Sequence, residues 1–378
     1  MASLFSDVGH EIATTVLPQL VIALGGTSAA LGLIEGIADG AASAARLVSG
    51  LYSDRLTRRK PLAAAGYFLT AGGMASFALA TQAWHLLLGR SIGWLGRGAR
   101  TPVRNVLLTE ATTPETYGRA FGLERSMDSA GAVLGPILAL ILVSAIGVRP
   151  TLALTLVPGV LAALAIALLV REGPHQPRPQ QKFWASLRTF PRPYRRFLFG
   201  VGIAGLGDFS KTLLILWATQ AWAPRLGLAA AGRWAMIFYV GYNVVYMASC
   251  SVAGALADRF SKPGVLAAGY LLAAGPALLL MLPSDSFAKF AAVFALCGVY
   301  MGFWETVEGS AAAELLPSEV RGVGFGVLAT VNGLGDLLSS ALVGLLWTVS
   351  PAVAMTAVIV LSILGAALVS RSRAPVPA

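Results

Sequence analysis

The sequence predicts an all-α, polytopic membrane protein of twelve transmembrane helices in two pseudo-symmetric halves of six. Three observations carry that prediction. Apolar stretches such as 154–170 and 265–282 recur from end to end, each close to the ~20 residues that cross a bilayer as a helix. Only 12% of the 378 residues are charged and 56% are hydrophobic, with a mean hydropathy of +0.72; a water-facing surface needs more charge than that. Shifted by 204 residues, the chain also aligns with itself. A transmembrane β-barrel would show short alternating segments instead of continuous apolar runs.

Hydropathy and turn signals place the helices at 5–25, 29–53, 60–80, 84–109, 117–145, 149–170, 195–223, 229–254, 263–282, 287–313, 321–346 and 350–370. Residues 1–9 carry Asp7 and lack a basic front, so no secretory leader is expected. One set of loops holds Arg55, Arg58, Arg59 and Lys60, then seven basic residues from Arg171 to Arg196, then Arg259, Lys262, Arg321, Arg371 and Arg373. The opposite loops hold little beyond Arg149, Arg225 and Lys289. Basic loops stay on the cytoplasmic side, so both termini are expected there, in a bacterial-type inner membrane. Much of the net charge of +10 is then a topology signal facing anionic lipid heads, and no nucleic-acid partner is expected.

Residues 171–193 contain five prolines and five basic residues, a composition suited to a linker, with a short interfacial helix expected at 183–190. The linker divides the chain into a six-helix bundle at 1–170 and a second at 194–378. The self-alignment supports that division: Asp54-Arg55 falls on Asp258-Arg259, Glu110 on Glu314, Phe121-Gly122 on Phe325-Gly326 and Gly131 on Gly335. Asp39 meets Asn243 and Asp128 meets Asn332. Halves repeated in this way can rock about a central site and expose it alternately.

These residues resemble the major facilitator superfamily. GLYSDRLTRRK (50–60) is similar to its loop between helices 2 and 3, with Thr57 where a glycine is usual, and GALADRFSKPG (254–264) is similar to the second copy. LLLGRSIGWLGRG (86–98) resembles the helix-4 motif, with Arg90 as its arginine. GAVLGP (131–136), through Gly131, Gly135 and Pro136, resembles the helix-5 motif of proton-driven antiporters, although Ala139 and Leu140 replace its closing glycines. The resemblance implies the twelve-helix major facilitator fold, with helices 1, 4, 7 and 10 lining a cavity and 3, 6, 9 and 12 facing lipid. Asp54, Arg55, Arg58, Arg59, Asp258 and Arg259 would then form a gate. Independently of any family, Asp54 at a helix end suits a neighbouring helix N-terminus, and the arginines suit nearby acids.

Ionisable groups at bilayer depth are costly and line cavities or pair with one another. They concentrate away from the predicted helices 3, 6, 9 and 12. Glu35 and Asp39 lie at i,i+4 and Glu305 and Glu308 at i,i+3, each pair on a shared face. Two close carboxylates resist ionising together, so these four and Asp128 are candidate proton carriers; the other reading makes each the fixed partner of an arginine. At 100° per residue, Arg90, Arg97, Arg100 and Arg104 share an arc of about 80° over about 21 Å of helix axis. That stripe must face the bundle. Arg90 suits Glu35; Arg97 and Arg100 suit Glu305, Glu308 or an anionic substrate group; Arg104 suits Glu110 or Asp128 as a gate. Asp7, close to the terminus, reads as wet and inert. Trp304, Tyr239 and Tyr242 are candidate stacking surfaces for a substrate, or core packing.

The chain has three histidines and two cysteines in apolar context, so no metal, cofactor or disulfide is expected, and no nucleotide loop or catalytic triad is present. The partners expected are a small-molecule substrate, protons and lipid, acting on a monomer. Two transport readings stand: proton-coupled export of small amphipathic organic compounds, or carriage of an organic or phosphorylated anion by the arginines. A non-transporting receptor or scaffold is the reading from another class.

Overall fold

The computed structural model describes residues 1–25, 28–173, 187–208 and 211–372. Residues 183–186 of the expected interfacial helix, and Arg373, lie outside them. Among the described residues every regular element is helical. In order these are α1 (Ala2–Ala23), α2 (Ser28–Ser53), α3 (Lys60–Ala75), α4 (Ala83–Glu110), α5 (Tyr117–Ile146) and α6 (Val148–Leu169). Then come α7 (Arg192–Leu206 and Lys211–Leu226), α8 (Leu228–Arg259), α9 (Lys262–Met281), α10 (Phe287–Leu315), α11 (Arg321–Val349) and α12 (Pro351–Ser370).

The ends follow local chemistry. Pro61, Pro263 and Pro351 open α3, α9 and α12 in the first turn, where proline costs no hydrogen bond. Ser286 and Ser350 cap α10 and α12, their hydroxyls accepting from Lys289 N and Ala352 N. Gly147 and Gly227 take φ of 84° and 78°, the left-handed turn that lets α5 reverse into α6 and α7 into α8. The apolar pattern at 195–223 reads as one helix, but α7 breaks at Gly207-Asp208.

Two compact groups form. The first gathers Met1–Thr113, Met127–Thr189 and Ser318–Thr330; the second gathers Pro114–Ser126, Phe190–Pro317 and Val331–Ala378. In the first, α4 packs on α2 and α3, and α6 on α1 and α3. In the second, α10 packs on α8 and α9, and α12 on α7 and α9. The same contacts recur six helices later, as the internal repeat requires.

Small residues permit these contacts. A Cβ on Gly96 of α4 would sit 2.6 Å from the Gly66 carbonyl oxygen of α3, so only glycine lets the two backbones meet. Gly98, turned to the other side, meets Ala42 of α2. Large apolar side chains such as Leu140, Leu168, Phe199 and Leu345 stay exposed, the outward apolar surface of a lipid-embedded bundle. Among the described residues seven helices meet the length and hydropathy of a membrane span. α4 falls short because of its arginines.

Candidate functional site

With α2 and α3 on its glycine faces, α4 turns its arginines toward α1. The two helices run antiparallel, and their 3.6-residue repeats bring matching positions level. Arg104 Nη1 donates to Ser3 Oγ at 3.4 Å, Arg100 Nη1 to Ser6 Oγ at 2.5 Å and Arg97 Nη1 to Asp7 Oδ1 at 3.2 Å. One turn on, the His10 and Trp94 rings meet at 4.5 Å, and Arg90 Nη1 donates to Thr14 Oγ1 at 2.9 Å. This is a polar ladder five rungs long. On two rungs the guanidinium lies close over a ring: Arg90 4.0 Å over Trp94, and Arg100 3.8 Å over Tyr67 of α3. An aromatic face attracts a desolvated guanidinium by about 2 kcal/mol, so the stripe is stabilised by rings as well as by oxygens.

α5 closes on the middle rung. Gly131 packs against Asp7 and Gly135 against Glu11, so the helix-5 motif is the contact through which α5 approaches α1. A Cβ on Gly131 would lie 2.6 Å from Asp7 Cβ. The approach carries Asp128, almost one turn before Gly131, to 3.9 Å from Arg97 Nη2. The Asp7 and Asp128 side chains are both buried, at 3% and 9% exposed. Arg97 therefore sits between two acids. Asp39, exposed on α2, accepts from Trp94 Nε1 at 2.5 Å, while the side chain of Glu35 lies outside the described residues.

The acids of α10 are not equivalent. Glu305 meets Arg125 Nη1 at 3.3 Å and accepts from Tyr246 OH at 2.6 Å. Glu308 accepts from Trp304 Nε1, Asn332 Nδ2 and Tyr270 OH, at 2.5, 2.5 and 3.4 Å, all neutral donors. Trp304 is thus a ligand of Glu308, and Tyr239 and Tyr242 stack on each other at 5.7 Å between ring centroids.

Among the residues expected to form a gate, Asp54 of α2 accepts from Gly322 N and Val323 N, 2.9 and 2.8 Å away, at the start of α11. Asp258 of α8 accepts from Gly118 N and Arg119 N, 2.6 and 2.9 Å away, at the start of α5. Under the 204-residue repeat these are the same residues in each copy. Each carboxylate meets two otherwise orphaned N–H groups and the positive end of a helix. Arg59, fully buried, bridges Glu110 and the Ser53 carbonyl and lies 3.8 Å from Asp54. Lys262 holds Glu314 at 2.7 Å in the other copy. Arg58 is exposed, and Arg55 and Arg259 lie over the neighbouring rings of Tyr52 and Phe260.

Several sequence expectations change. Arg97 and Arg100 are engaged by α1, not by Glu305 or Glu308, because α1 offers Ser6 and Asp7 at matching height. Glu110 is taken by Arg59, and Arg104 reaches Ser3 and Asn105. Asp7 is not wet but buried, at the centre of the cluster. The polar series Ser3, Asp7, His10 and Thr14, stepping by four, three and four residues along one helix face, was the signal that could have found it. Cys250 and Cys297 are buried and free.

Residues 1–340 match the Major Facilitator Superfamily. An uncharacterized MFS-type transporter of Methanocaldococcus jannaschii is 27% identical over 368 residues, 92% of this chain and 87% of its own. The multidrug resistance protein MdtH of Klebsiella pneumoniae is 34% identical over 109 residues, 28% of this chain and 27% of its own. The crystal structure of the E. coli fucose:proton symporter FucP superposes with a TM-score of 0.80 at 17% identity, covering 99% of this chain and 97% of its own. That likeness is one of fold. The repeated helix contacts, the paired carboxylate caps and the length of the family match agree, and the chain belongs to the major facilitator superfamily: a polytopic membrane transporter, not an enzyme.

Proposed function

We propose that this transporter exports small amphipathic organic compounds in exchange for protons, by alternating access across twelve spans with both termini cytoplasmic. The bundles at 1–170 and 194–378, joined by the linker at 171–193, are its moving halves. The observation that carries the reading is the Asp7–Arg97–Asp128 cluster. Two close, buried carboxyl groups resist ionising together, and a bound proton relieves that repulsion. Because Gly131 and Gly135 set how closely α5 approaches α1, a change in that packing separates the two acids and releases the proton. Glu308, held by neutral donors alone, is the second candidate carrier. Glu305, paired with Arg125, reads as a fixed partner.

The direction of transport is supported by the helix-5 motif and by the similarity of one third of the chain to proteins named for multidrug resistance. The anion reading gains less from the stripe, since each of its guanidinium groups already donates to α1. Inverted membrane vesicles with an acidic lumen, loaded with ethidium from outside, test the proposal. Dye accumulation driven by the pH gradient is expected. The double variant Asp7→Asn/Asp128→Asn is expected to lose that accumulation while keeping dye–dye counterflow, which needs no proton. Accumulation indifferent to the gradient in the native chain would overturn the reading.

A further inference from the structure

Many basic residues at the helix ends are spent on the protein itself. Arg59 is bound by Glu110, Lys262 by Glu314 and Arg119 by Asp258, and Lys60 Nζ donates to the Val170 carbonyl at 2.9 Å. A second set is different. Arg192, Arg195 and Arg196 stand at the start of α7, and Arg371 follows the last turn of α12, all four exposed. Arg196 Nη1 donates to the Arg371 carbonyl at 3.2 Å, which brings the two helix ends together. Among the described residues no acid lies within ion-pair distance of any of the four guanidinium groups. The sequence gives the reason. No Asp or Glu occurs between Glu172 and Asp208, or anywhere after Asp336, so neither the first α7 segment nor α12 brings an acid to this end.

The arginines share their face with apolar side chains. At 100° per residue, Arg192, Arg195, Arg196 and Phe199 lie within an arc of about 100°, opposite the face through which Tyr194, Phe197 and Val201 are buried. Phe199, one turn further along α7 than Arg195 and Arg196, is 63% exposed. Beside it α7 and α12 meet closely: a Cβ on Gly365 would lie 2.6 Å from Ala204 Cβ, and one on Gly200 2.8 Å from Val369 Cγ2. Leu364, next to that contact on α12, is exposed as well. The surface therefore has two levels, guanidinium groups at the helix ends and apolar side chains a turn or more inward. Clustered like charges repel, and a phosphodiester offsets them in a geometry that a guanidinium fork fits. The apolar level selects among phosphates. A soluble one leaves Phe199 and Leu364 uncovered, whereas a phospholipid lays an acyl chain over them. A zwitterionic headgroup presents its own cation to the arginines and gains less.

We propose that the joined ends of α7 and α12 form a binding site for one anionic phospholipid, its phosphate held by Arg192, Arg195, Arg196 and Arg371 and its chain laid along Phe199 and Leu364. Such a site is narrower than the excess of positive charge that sets topology, to which every basic loop contributes. The proposal rests on the topology proposed above only for the leaflet that supplies the lipid. Binding involves no flux and no pH gradient, so it and the export reading fail separately.

Native mass spectrometry of the purified full-length protein in detergent, with added dioleoylphosphatidylglycerol or dioleoylphosphatidylcholine, tests it. The native chain is expected to retain one phosphatidylglycerol at concentrations where phosphatidylcholine is lost. Each guanidinium at an anionic headgroup contributes about a fivefold factor, so Arg195→Gln/Arg196→Gln is expected to weaken phosphatidylglycerol binding by about tenfold or more. Arg195→Lys/Arg196→Lys should recover part of it. The charge-matched variant Arg58→Gln/Arg171→Gln, which removes two exposed arginines of the first compact group, should bind as the native chain does. An unchanged melting temperature without added lipid separates loss of the site from loss of fold, and Arg195→Gln alone, with a loss of about fivefold, reports if the double variant does not fold. Glycerol 3-phosphate, a headgroup without chains, should not displace the lipid at equal concentration. Displacement would make this a site for a soluble phosphate and overturn the proposal. Equal retention of the two lipids, an unchanged affinity in Arg195→Gln/Arg196→Gln, or an equal loss in Arg58→Gln/Arg171→Gln would overturn it too.

Discussion

Arg97 is one quarter exposed at its side chain, while the Asp7 side chain it meets is 5% exposed. Removing the guanidinium leaves two acids without their shared arginine in a poorly solvated place, whereas removing one acid leaves the other paired with it. Breaking a buried pair from one side costs about 3–5 kcal/mol, less where water reaches one partner, so Arg97→Ala is expected to cost about 3 kcal/mol. Arg97→Ala/Asp7→Asn should recover part of that loss, a non-additivity that marks direct contact. Thermal unfolding of the detergent-solubilised variants checks both. A double variant no more stable than Arg97→Ala would mean that the acids do not share the arginine. The stripe itself was legible in the sequence, because 3.6-residue spacing fixes which arginines share a face. Its partner was not. Which helix faces α4, and at what height, depends on packing between segments far apart in sequence. The same limit hid the difference between Glu305 and Glu308, whose spacing says nothing of Arg125 or Asn332.

α4 shows how one helix serves three neighbours. Gly66, Gly89, Gly93 and Gly96 bring α3 and α4 into backbone contact, and the arginines fill the wider gap to α1. A side chain at Gly96 would push α4 off α3 and move the stripe out of register with Ser6 and Asp7. Gly96→Val is expected to abolish a monodisperse peak in fluorescence-detected size-exclusion chromatography, and Leu95→Val, on the exposed face next to it, to leave the peak unchanged. Equal profiles would show that the α3–α4 contact carries little of the stability. Helix positions were readable from hydropathy to within a few residues, since a membrane span is set by length and apolarity. The interruption of α7 was not, because the residues on either side of Gly207-Asp208 remain apolar enough to read as one span.

For the molecule as a whole, the internal repeat predicted the fold better than it predicted the site. Asp54 and Asp258 keep the same partners in both copies, whereas the positions matching Arg90, Arg97, Arg100 and Arg104 are Phe294, Met301, Trp304 and Glu308. The ends of the helices stayed alike while the middle diverged. A charged hydrogen bond contributes about 1.5–3 kcal/mol, so Asp54→Asn is expected to raise amide exchange at the start of α11 by about tenfold, the equivalent of ~1.4 kcal/mol. Exchange at the start of α5 should stay as it was, with Asp258→Asn giving the mirror result. Hydrogen exchange followed by mass spectrometry on the two peptides checks this. A rise at both ends from either variant would show the caps to be one coupled lock.

Because each cap is received by backbone N–H groups, it places almost no demand on which side chains occupy the receiving end. The exceptions are Gly118 and Gly322: a Cβ there would lie 2.6 Å from Asp258 Oδ1 and 2.5 Å from Asp54 Oδ1. Mutational drift can therefore rewrite the neighbours, as Arg119 and Val323 illustrate, without touching the fastening. The sequence requirement of each cap reduces to one acid and one glycine, so the two copies of the repeat can keep this fastening while their interiors diverge toward different chemistry.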